Sequence, residues 1–505
     1  MQLQIISPTK ALVLNAINED YEKLREELTY TNTSISYQLK KHYKSNWLKQ
    51  NKPDEWQNRL EELKANVKKT LLYQENGQTF IRPGSIPQLD GWFSKIESKI
   101  VYPEAKAPYP WYKKPNYEPY SYQTETVDLL IENAKSGVPC AAQLATGLGK
   151  SYIMALATRK LGLRTLIVTP STSIFYELLG FFEQCFGPNK VGTLGDGKKK
   201  TNKPIVIAIA KSITALKPDS EDYKNIRNMQ VVMGDESHTL PAETLDATFH
   251  GVLSEIPYRF FLSGTQTRGD GSVPLLHAII GKVVIDKGLA WGIENGYLSK
   301  LDFTIVNVPT SNPNYWNGDP IKMKRSHFLY NSHIVEFIAK TASAVARTMN
   351  KSSLILVEEI EQISLIAAKL TVPYTYVHGN TLKKDELSKY GLENRNLENE
   401  IERFNKGEIK VFIGTRCVST GTNFYPTHFG FNFQGGSSEI GTKQGIMGRM
   451  TRLLEKSRYN TLHSPKLVSR LFDFNVDVEE LRGSFYKRLG FYKESKCPIK
   501  GIEFK

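Results

Sequence analysis

The chain has 505 residues, 40% hydrophobic and 23% charged, with a formal net charge of +14. A chain of that length exceeds one ordinary core and points to about three domains, while the basic balance favours a polyanionic partner. Four scattered cysteines (Cys140, Cys185, Cys417 and Cys497) without a Cys-x-x-Cys pair argue against a disulfide framework and against structural zinc. With no secretory leader and no apolar run of about 18 residues to span a bilayer, the expected location is the cytoplasm, with no membrane partner.

Residues 21–28 (YEKLREEL) and 54–69 read as helices. Between 40 and 69, nine Lys or Arg stand against four Asp or Glu, so this segment is strongly basic. Residues 71–73 and 79–81 flank Asn76-Gly77, a tight-turn pair, and predict a β-hairpin. The Pro- and Tyr-rich stretch 102–119 reads as a linker. From about 120 to 300, apolar runs (165–169, 205–210, 230–233, 259–262) alternate with amphipathic helical stretches (152–161, 174–185). That alternation predicts a parallel sheet covered on both faces. It resumes near 352 with runs at 354–357, 374–377, 411–413 and 429–433, after a helical connector at 333–349. The segment after 465 reads as largely helical, with 467–472 as a possible last strand. No repeat of solenoid period is present.

Three stretches carry chemistry. Ala145-Thr146-Gly147-Leu148-Gly149-Lys150-Ser151 follows a strand-like run and opens a helix. A glycine turn there lets backbone N–H groups wrap a phosphate, with Lys150 on the β/γ-phosphates and the Ser151 hydroxyl on Mg²⁺. Leu144 stands where the longer phosphate-loop pattern has its first glycine; a plain strand-to-helix turn is the bland alternative. The second stretch, Val231-Val-Met-Gly-Asp235-Glu236-Ser237-His238, is an apolar strand ending in adjacent carboxylates at the sheet edge where α/β proteins bind ligands. Asp235 suits the Mg²⁺ shell, and Glu236 suits deprotonation of an attacking water. The third, Ser263-Gly264-Thr265, gains meaning only from its place at the end of the next strand.

In this order the three stretches resemble the DEAD/DEAH-type helicases of superfamily 2, over about residues 118–475. The resemblance implies two RecA-like parallel-sheet lobes in tandem, here with a small α+β N-terminal domain. The expected domains are 1–112 (an accessory DNA-binding domain), 113–305 (ATP-binding lobe), 306–475 (second lobe) and 476–505 (a helical extension). It also implies ATP and Mg²⁺ as cofactors and assigns further roles. Tyr122-Gln123 looks like the pair that reads adenine, and Thr146, Gly147, Gly149 and Gly421 would line the nucleotide. His238, Ser263 and Thr265 would couple hydrolysis to movement. Thr169, Pro170, Lys211, Ser212, Thr415 and Arg416 would touch nucleic acid. Gly448-Arg449-Met450-Thr451-Arg452 resembles the motif whose arginines, here Arg449 and Arg452, stabilise charge in phosphoryl transfer. Three departures stand out. Gln444 lies one residue earlier than the family's glutamine, with Gly445 in its place. Asn423 replaces an acid, and the acidic box is Asp-Glu-Ser-His.

Leu28-Thr-Tyr, Trp47, Leu71-Leu-Tyr, Phe80 and Pro83-Gly84 follow an order similar to that in UvsW-like phage DNA helicases, which remodel branched DNA. This resemblance implies an ATP-dependent DNA helicase or branch-migrating translocase acting on branched or single-stranded DNA, with recombination or replication proteins as partners. Three other readings stay open: an RNA helicase on the same fold, the motor of a restriction or defence complex, and a nucleic-acid-binding scaffold whose ATPase has decayed. Tyr43 and Trp47 lie among Lys40, Lys41 and Lys44, a pattern suited to stacking on bases. Their i,i+4 spacing favours instead the inward face of an amphipathic helix. The run Asp196-Gly197-Lys198-Lys199-Lys200, followed by Lys203, reads as a flexible basic loop, either a phosphate contact or a solubilising loop. His378 reads as structural.

Overall fold

The computed structural model describes all residues except 116, 117, 269, 310–318, 380–386, 419–421, 456 and 505, and it leaves out the side chains of 34, 320 and 440. Among the described residues no helix is long and apolar enough to cross a membrane. The chain divides into two compact units: Met1–Leu144 with Gly149–Asp286, and Ala145–Leu148 with Lys287–Lys505.

The first unit opens with a five-stranded sheet in the order Tyr73–Glu75, Gln78–Ile81, Lys10–Leu14, Gln2–Ser7, Lys95–Ser98. The expected hairpin is present, with Glu75 opposite Gln78. Its turn residues Asn76 (φ 51°) and Gly77 (φ 74°) take the positive φ that a two-residue primed turn needs. The segment does not close a core of its own, as an independent 1–112 domain would. Leu3, Ile5, Leu24, Leu71 and Ile86 share one apolar cluster with Leu275, Ile279 and Ile280 of the parallel-sheet layer.

Tyr43 and Trp47 are not an inward face. They are 49% and 66% exposed. The helix Thr33–Tyr43 ends between them and a new one begins at Asn46–Asn51, so the i,i+4 register is broken. Trp56, Leu60 and Leu63 of the helix Pro53–Val67 are buried instead. The 102–119 stretch is docked, not free: the Tyr102 hydroxyl donates to Ala134 O (2.6 Å), Tyr112 N–H to Cys185 O (2.7 Å), and Trp111 stacks on Phe186 at 5.4 Å.

The second layer of this unit is an eight-stranded sheet in the order Lys198–Lys199, Val191–Gly195, Ile205–Ile209, Thr165–Thr169, Val231–Asp235, Tyr258–Ser263, Cys140–Leu144, Lys282–Lys287. From Val191–Gly195 to Cys140–Leu144 every pairing is parallel. Strands such as Thr165–Thr169 (TLIVT) are buried at every position. Helices cover both faces of such a sheet, so its strands read as continuous apolar runs. Lys150–Leu161 is one of those helices, and Gly162 (φ 61°) caps its C-terminus.

The second unit is a seven-stranded sheet in the order Tyr374–Val377, Val411–Gly414, Ser352–Val357, Thr427–Phe433, Val468–Val476, Lys300–Val308, Ile499–Glu503. All of its pairings are parallel. Two boundaries therefore differ from expectation. The strand Lys300–Val308 straddles the 305/306 division and lies wholly in this sheet. The tail beyond 475 is not a helical appendage, because after the helix Glu479–Glu494 the strand Ile499–Glu503 pairs with Lys300–Val308. The buried network of Asp473, Arg488 and Tyr492 pins that helix to the sheet, with Arg488 Nε donating to Asp473 Oδ2 at 2.7 Å and the Tyr492 hydroxyl to the same oxygen at 2.7 Å.

Candidate nucleotide site

Parallel pairing sends the ends of Cys140–Leu144, Val231–Asp235 and Tyr258–Ser263 to one edge, and the three predicted motifs leave the sheet there. Gly147 (φ 100°) and Gly149 (φ 76°) both hold a left-handed backbone that glycine adopts without strain. At Gly149 a Cβ would lie 2.5 Å from Gln123 Nε2, so the Gln123 side chain packs directly on the loop. Gln123 and Tyr122 are both buried, and Tyr122 stacks on Tyr120 at 5.8 Å. Thr146 and Ser151 are half-buried at either side of the turn.

Lys150 Nζ lies 3.0 Å from Glu236 Oε1 and donates to Leu144 O at 3.4 Å. The Ser263 hydroxyl lies 2.7 Å from Glu236 Oε2 and 2.8 Å from His238 Nδ1, and it accepts the Thr265 N–H at 3.2 Å. One hydroxyl thus ties the acidic strand end to the neighbouring strand end. Glu236 itself has φ 47°, a strained backbone for a non-glycine residue and of the kind that clusters at functional sites. Burial opposes ionisation of both adjacent carboxyls, but the outcomes diverge. For Glu236, Lys150, His238 and Ser263 outweigh burial and hold its pKa well below the usual range. Asp235, buried and next to the Glu236 charge, is pushed up despite Lys150. Two neighbouring carboxyls driven apart in this way suit one ionised base and one group that gains from a further cation.

That further cation has a place. Asp235 Oδ1 is buried with no hydrogen-bond partner among the described residues. No cluster of three or more His, Cys, Asp or Glu side chains forms a metal cage among those residues. One carboxylate oxygen beside a phosphate loop is the donor set Mg²⁺ takes when phosphates and water complete its shell.

The other predicted residues fall into distinct groups. Thr169 is buried, with its hydroxyl donating to Ser171 O (3.1 Å), and Pro170 is half-buried beside it. Lys211 is exposed and Ser212 half-buried on the short helix Ala210–Thr214. In the second unit Thr415 is buried, and Arg416 is exposed beside Glu358 (3.4 Å). Gly421 lies outside the described residues. Arg449 is buried and engaged within its own unit, donating to Val418 O (3.3 Å), Thr422 Oγ1 (3.2 Å) and Gln444 O (3.2 Å). Arg452 is half-buried, with its Nε lacking a hydrogen-bond partner among the described residues. The displaced Gln444 falls in Ile440–Met447, which winds as a π-helix. Such a turn takes up about one residue more than an α-turn, the size of the register shift in the sequence. His378 is buried between the carbonyls of Gly379 (3.1 Å) and Glu393 (3.3 Å).

Two supporting residues escaped sequence reasoning. Arg268 donates to His238 O (2.8 Å) and Leu240 O (2.6 Å), clamping the loop behind the acidic pair, and it is held by Asp270 (2.6 Å). Burial works against that carboxylate, but Arg268 and Ser272 outweigh it and hold it at about 2. Lys466 is buried with Nζ donating to Arg452 O (2.7 Å) and Tyr425 O (3.2 Å). The only signal for Arg268 was its position shortly after Ser263-Gly264-Thr265; Lys466 had none.

Residues 116–268 match the family model described as "Type III restriction enzyme, res subunit". Among solved structures, S. cerevisiae Dbp5 bound to RNA and ADP BeF3 aligns over 77% of this chain and 90% of its own, at 13% identity and a TM-score of 0.51. The Type ISP restriction-modification enzyme LlaBIII bound to DNA aligns over 78% of this chain and 32% of its own, at 11% identity and a TM-score of 0.51. T4 UvsW aligns over 100% of both chains at 15% identity, with a TM-score of 0.42. No curated protein matches by sequence. The two parallel-sheet units have the tandem RecA-like fold that these structures share.

Proposed function

We propose that this chain is a superfamily 2 helicase-type motor that hydrolyses ATP to move along DNA and to unwind or branch-migrate branched DNA. The observation that carries the hydrolysis step is the Ser263 hydroxyl between Glu236 and His238, with Lys150 on the other Glu236 oxygen. In this reading Lys150 neutralises phosphate charge, and Glu236, kept ionised, takes the proton of the attacking water. Asp235 and the Ser151 hydroxyl hold Mg²⁺, which when bound polarises the phosphates. Arg452 supplies a further cation, and Arg449 orders the segment that carries it. Ser263, Thr265 and His238 pass the state of Glu236 to the neighbouring strand end. Thr169, Pro170, Lys211 and Ser212 grip the nucleic-acid backbone.

The net charge of +14 suits a polyanionic track, and the N-terminal motif order favours DNA as that track. The exposed Tyr37, Tyr43 and Trp47 beside Lys40, Lys41 and Lys44 suit bases splayed at a junction.

Steady-state ATPase assays test the reading, with no nucleic acid, single-stranded DNA, blunt duplex, four-way junction and single-stranded RNA. Wild type is expected to respond most to the junction. Lys150→Ala should lose at least about 100-fold in kcat, and Glu236→Gln should lose a comparable factor while still binding nucleotide. Stimulation by RNA alone would replace DNA with RNA as substrate. Equal turnover in wild type and Lys150→Ala would sink the motor itself.

A further inference from the structure

The short helix Gly448–Met450 stops just before Arg452. The last carbonyls of a helix have no partner within it, so those of Met450, Thr451 and Arg452 must be satisfied from elsewhere. The Ser469 hydroxyl donates to Met450 O (3.0 Å), Ser299 N–H to Thr451 O (2.8 Å), and the Ser299 hydroxyl to Arg452 O (3.0 Å). Lys466 Nζ also donates to Arg452 O, at 2.7 Å, and to Tyr425 O at 3.2 Å. Ser299 stands just before the strand Lys300–Val308, and Lys466 and Ser469 flank the start of Val468–Val476. Those strands pair with Lys300 opposite Val468, so the three residues reach the 450–452 turn from adjoining strand ends.

Lys466 is the one buried lysine among the described residues, at 1% exposure. Its two bonds go to carbonyls rather than to a carboxylate, and burying a charge on those terms is costly. Burial pushes its pKa down to about 7, against the pull of Glu455 and with the push of Arg452. Packing alone would be served by an apolar side chain of similar length. What the ammonium adds is a pair of donors, one of them on Arg452 O. The side chain of that same residue is not tied in this way: Arg452 Nε is buried without a hydrogen-bond partner among the described residues. The Arg449 guanidinium, in contrast, is engaged by Val418 O, Thr422 Oγ1 and Gln444 O. Arg452 thus has a fixed backbone and a side chain with an unused donor.

We propose that Lys466 is a positioning residue for phosphoryl transfer: together with Ser299 it holds Arg452 O and so fixes the backbone from which Arg452 presents its guanidinium to the charge developing on the phosphate. The proposal rests on the function proposed above, which gives Arg452 that cation's role. A charge aimed in advance stabilises a transition state without reorganisation, and a displacement of about 1 Å can cost about 100-fold in rate.

Steady-state ATPase assays on the full chain, with ATP titrated and the best-stimulating nucleic acid of the panel above, test this. Lys466→Met should lower kcat by about 10-fold or more and leave the KM for ATP within about two-fold, because the loss falls on the transition state alone. In an Arg452→Ala background the same change should cost nothing further, since both variants remove one contribution. Ser299→Ala, which keeps the N–H bond to Thr451 O, should repeat this pattern with a smaller loss. It carries the cycle with Arg452→Ala if Lys466→Met fails to give a cooperative thermal melt. Losses that multiply in either double variant overturn the proposal and leave the motor intact. Wild-type turnover in Lys466→Met, or a raised KM with kcat kept, does the same. Arg452→Ala turning over like wild type removes the role given to Arg452, and this proposal with it, while Lys150→Ala reports separately on the motor.

Discussion

His428 illustrates chemistry set by single side chains. Its Nδ1 accepts the Ser352 N–H at 3.3 Å, and its Nε2 lies 3.1 Å from Ser464 O, so the neutral ring with hydrogen on Nε2 satisfies both partners. Burial pushes its pKa down to about 4, and Lys466 and Lys351 push the same way. Above about pH 6.5 the ring is neutral folded or unfolded. Below that, the unfolded chain takes a proton the folded chain refuses, so stability falls as pH drops from about 6.5 toward 4. The contribution of this residue is roughly 3 kcal/mol. Thermal melting across that window should show the loss, and His428→Gln, which cannot titrate, should melt with a shallower pH dependence. At this scale the residues of the candidate site were legible where their chemistry is local. Lys150 and Ser151 share a loop with their glycines, and Asp235-Glu236 ends an apolar run. Arg268 and Lys466 were not, because they act on carbonyls distant in sequence, and carbonyls leave no mark on composition.

Among elements, the 3₁₀ turn Pro83–Leu89 and the helix Val273–Ile280 come into close backbone contact in the first unit. A Cβ on Gly84 would lie 2.1 Å from Ala278 O, a backbone atom that cannot step aside. Gly84→Ala should therefore destabilise the protein by about 1–3 kcal/mol, seen as a lower midpoint in denaturant unfolding. Pro83-Gly84 was visible in the sequence as part of an N-terminal motif, but its partner helix was not. The strands 165–169 and 411–413 were legible because both faces are buried and the run is unbroken. Ile499–Glu503, exposed at four of its five positions, offered no apolar run, and only pairing with Lys300–Val308 makes it a strand. The Tyr43–Trp47 spacing misled for a related reason: a helical period means nothing across a helix end, and that end was not signalled by Gly or Pro.

At the scale of the whole chain, the N-terminal 100 residues and the parallel-sheet layer of the first unit are one folding problem. Leu275, Ile279 and Ile280 bury against the same cluster as Leu3, Ile5 and Ile86. Removing residues 1–112 strips several apolar side chains of cover, at about 1.5–3 kcal/mol each, against a total stability of only about 5–15 kcal/mol. A chain beginning at residue 113 should accordingly be recovered aggregated or as a dye-binding, loosely packed species, whereas a compact, cooperatively melting product would show that the two layers are separable.

The sequence alone was sufficient for the alternating α/β pattern, the glycine turn after Leu144, the acidic strand end and the basic balance, since each is a property of neighbouring residues or of their count. Tertiary structure decided the rest: the shared core of the first unit, the second-unit sheet that gathers Lys300–Val308 and Ile499–Glu503 from opposite ends of its stretch of chain, and the sheet edge at which the three motifs meet. Those depend on which strands lie side by side. Strand order is set by burial and packing between partners that are not neighbours in sequence, from Val191 beside Ile205 to Phe303 beside Ile499, which no local pattern encodes.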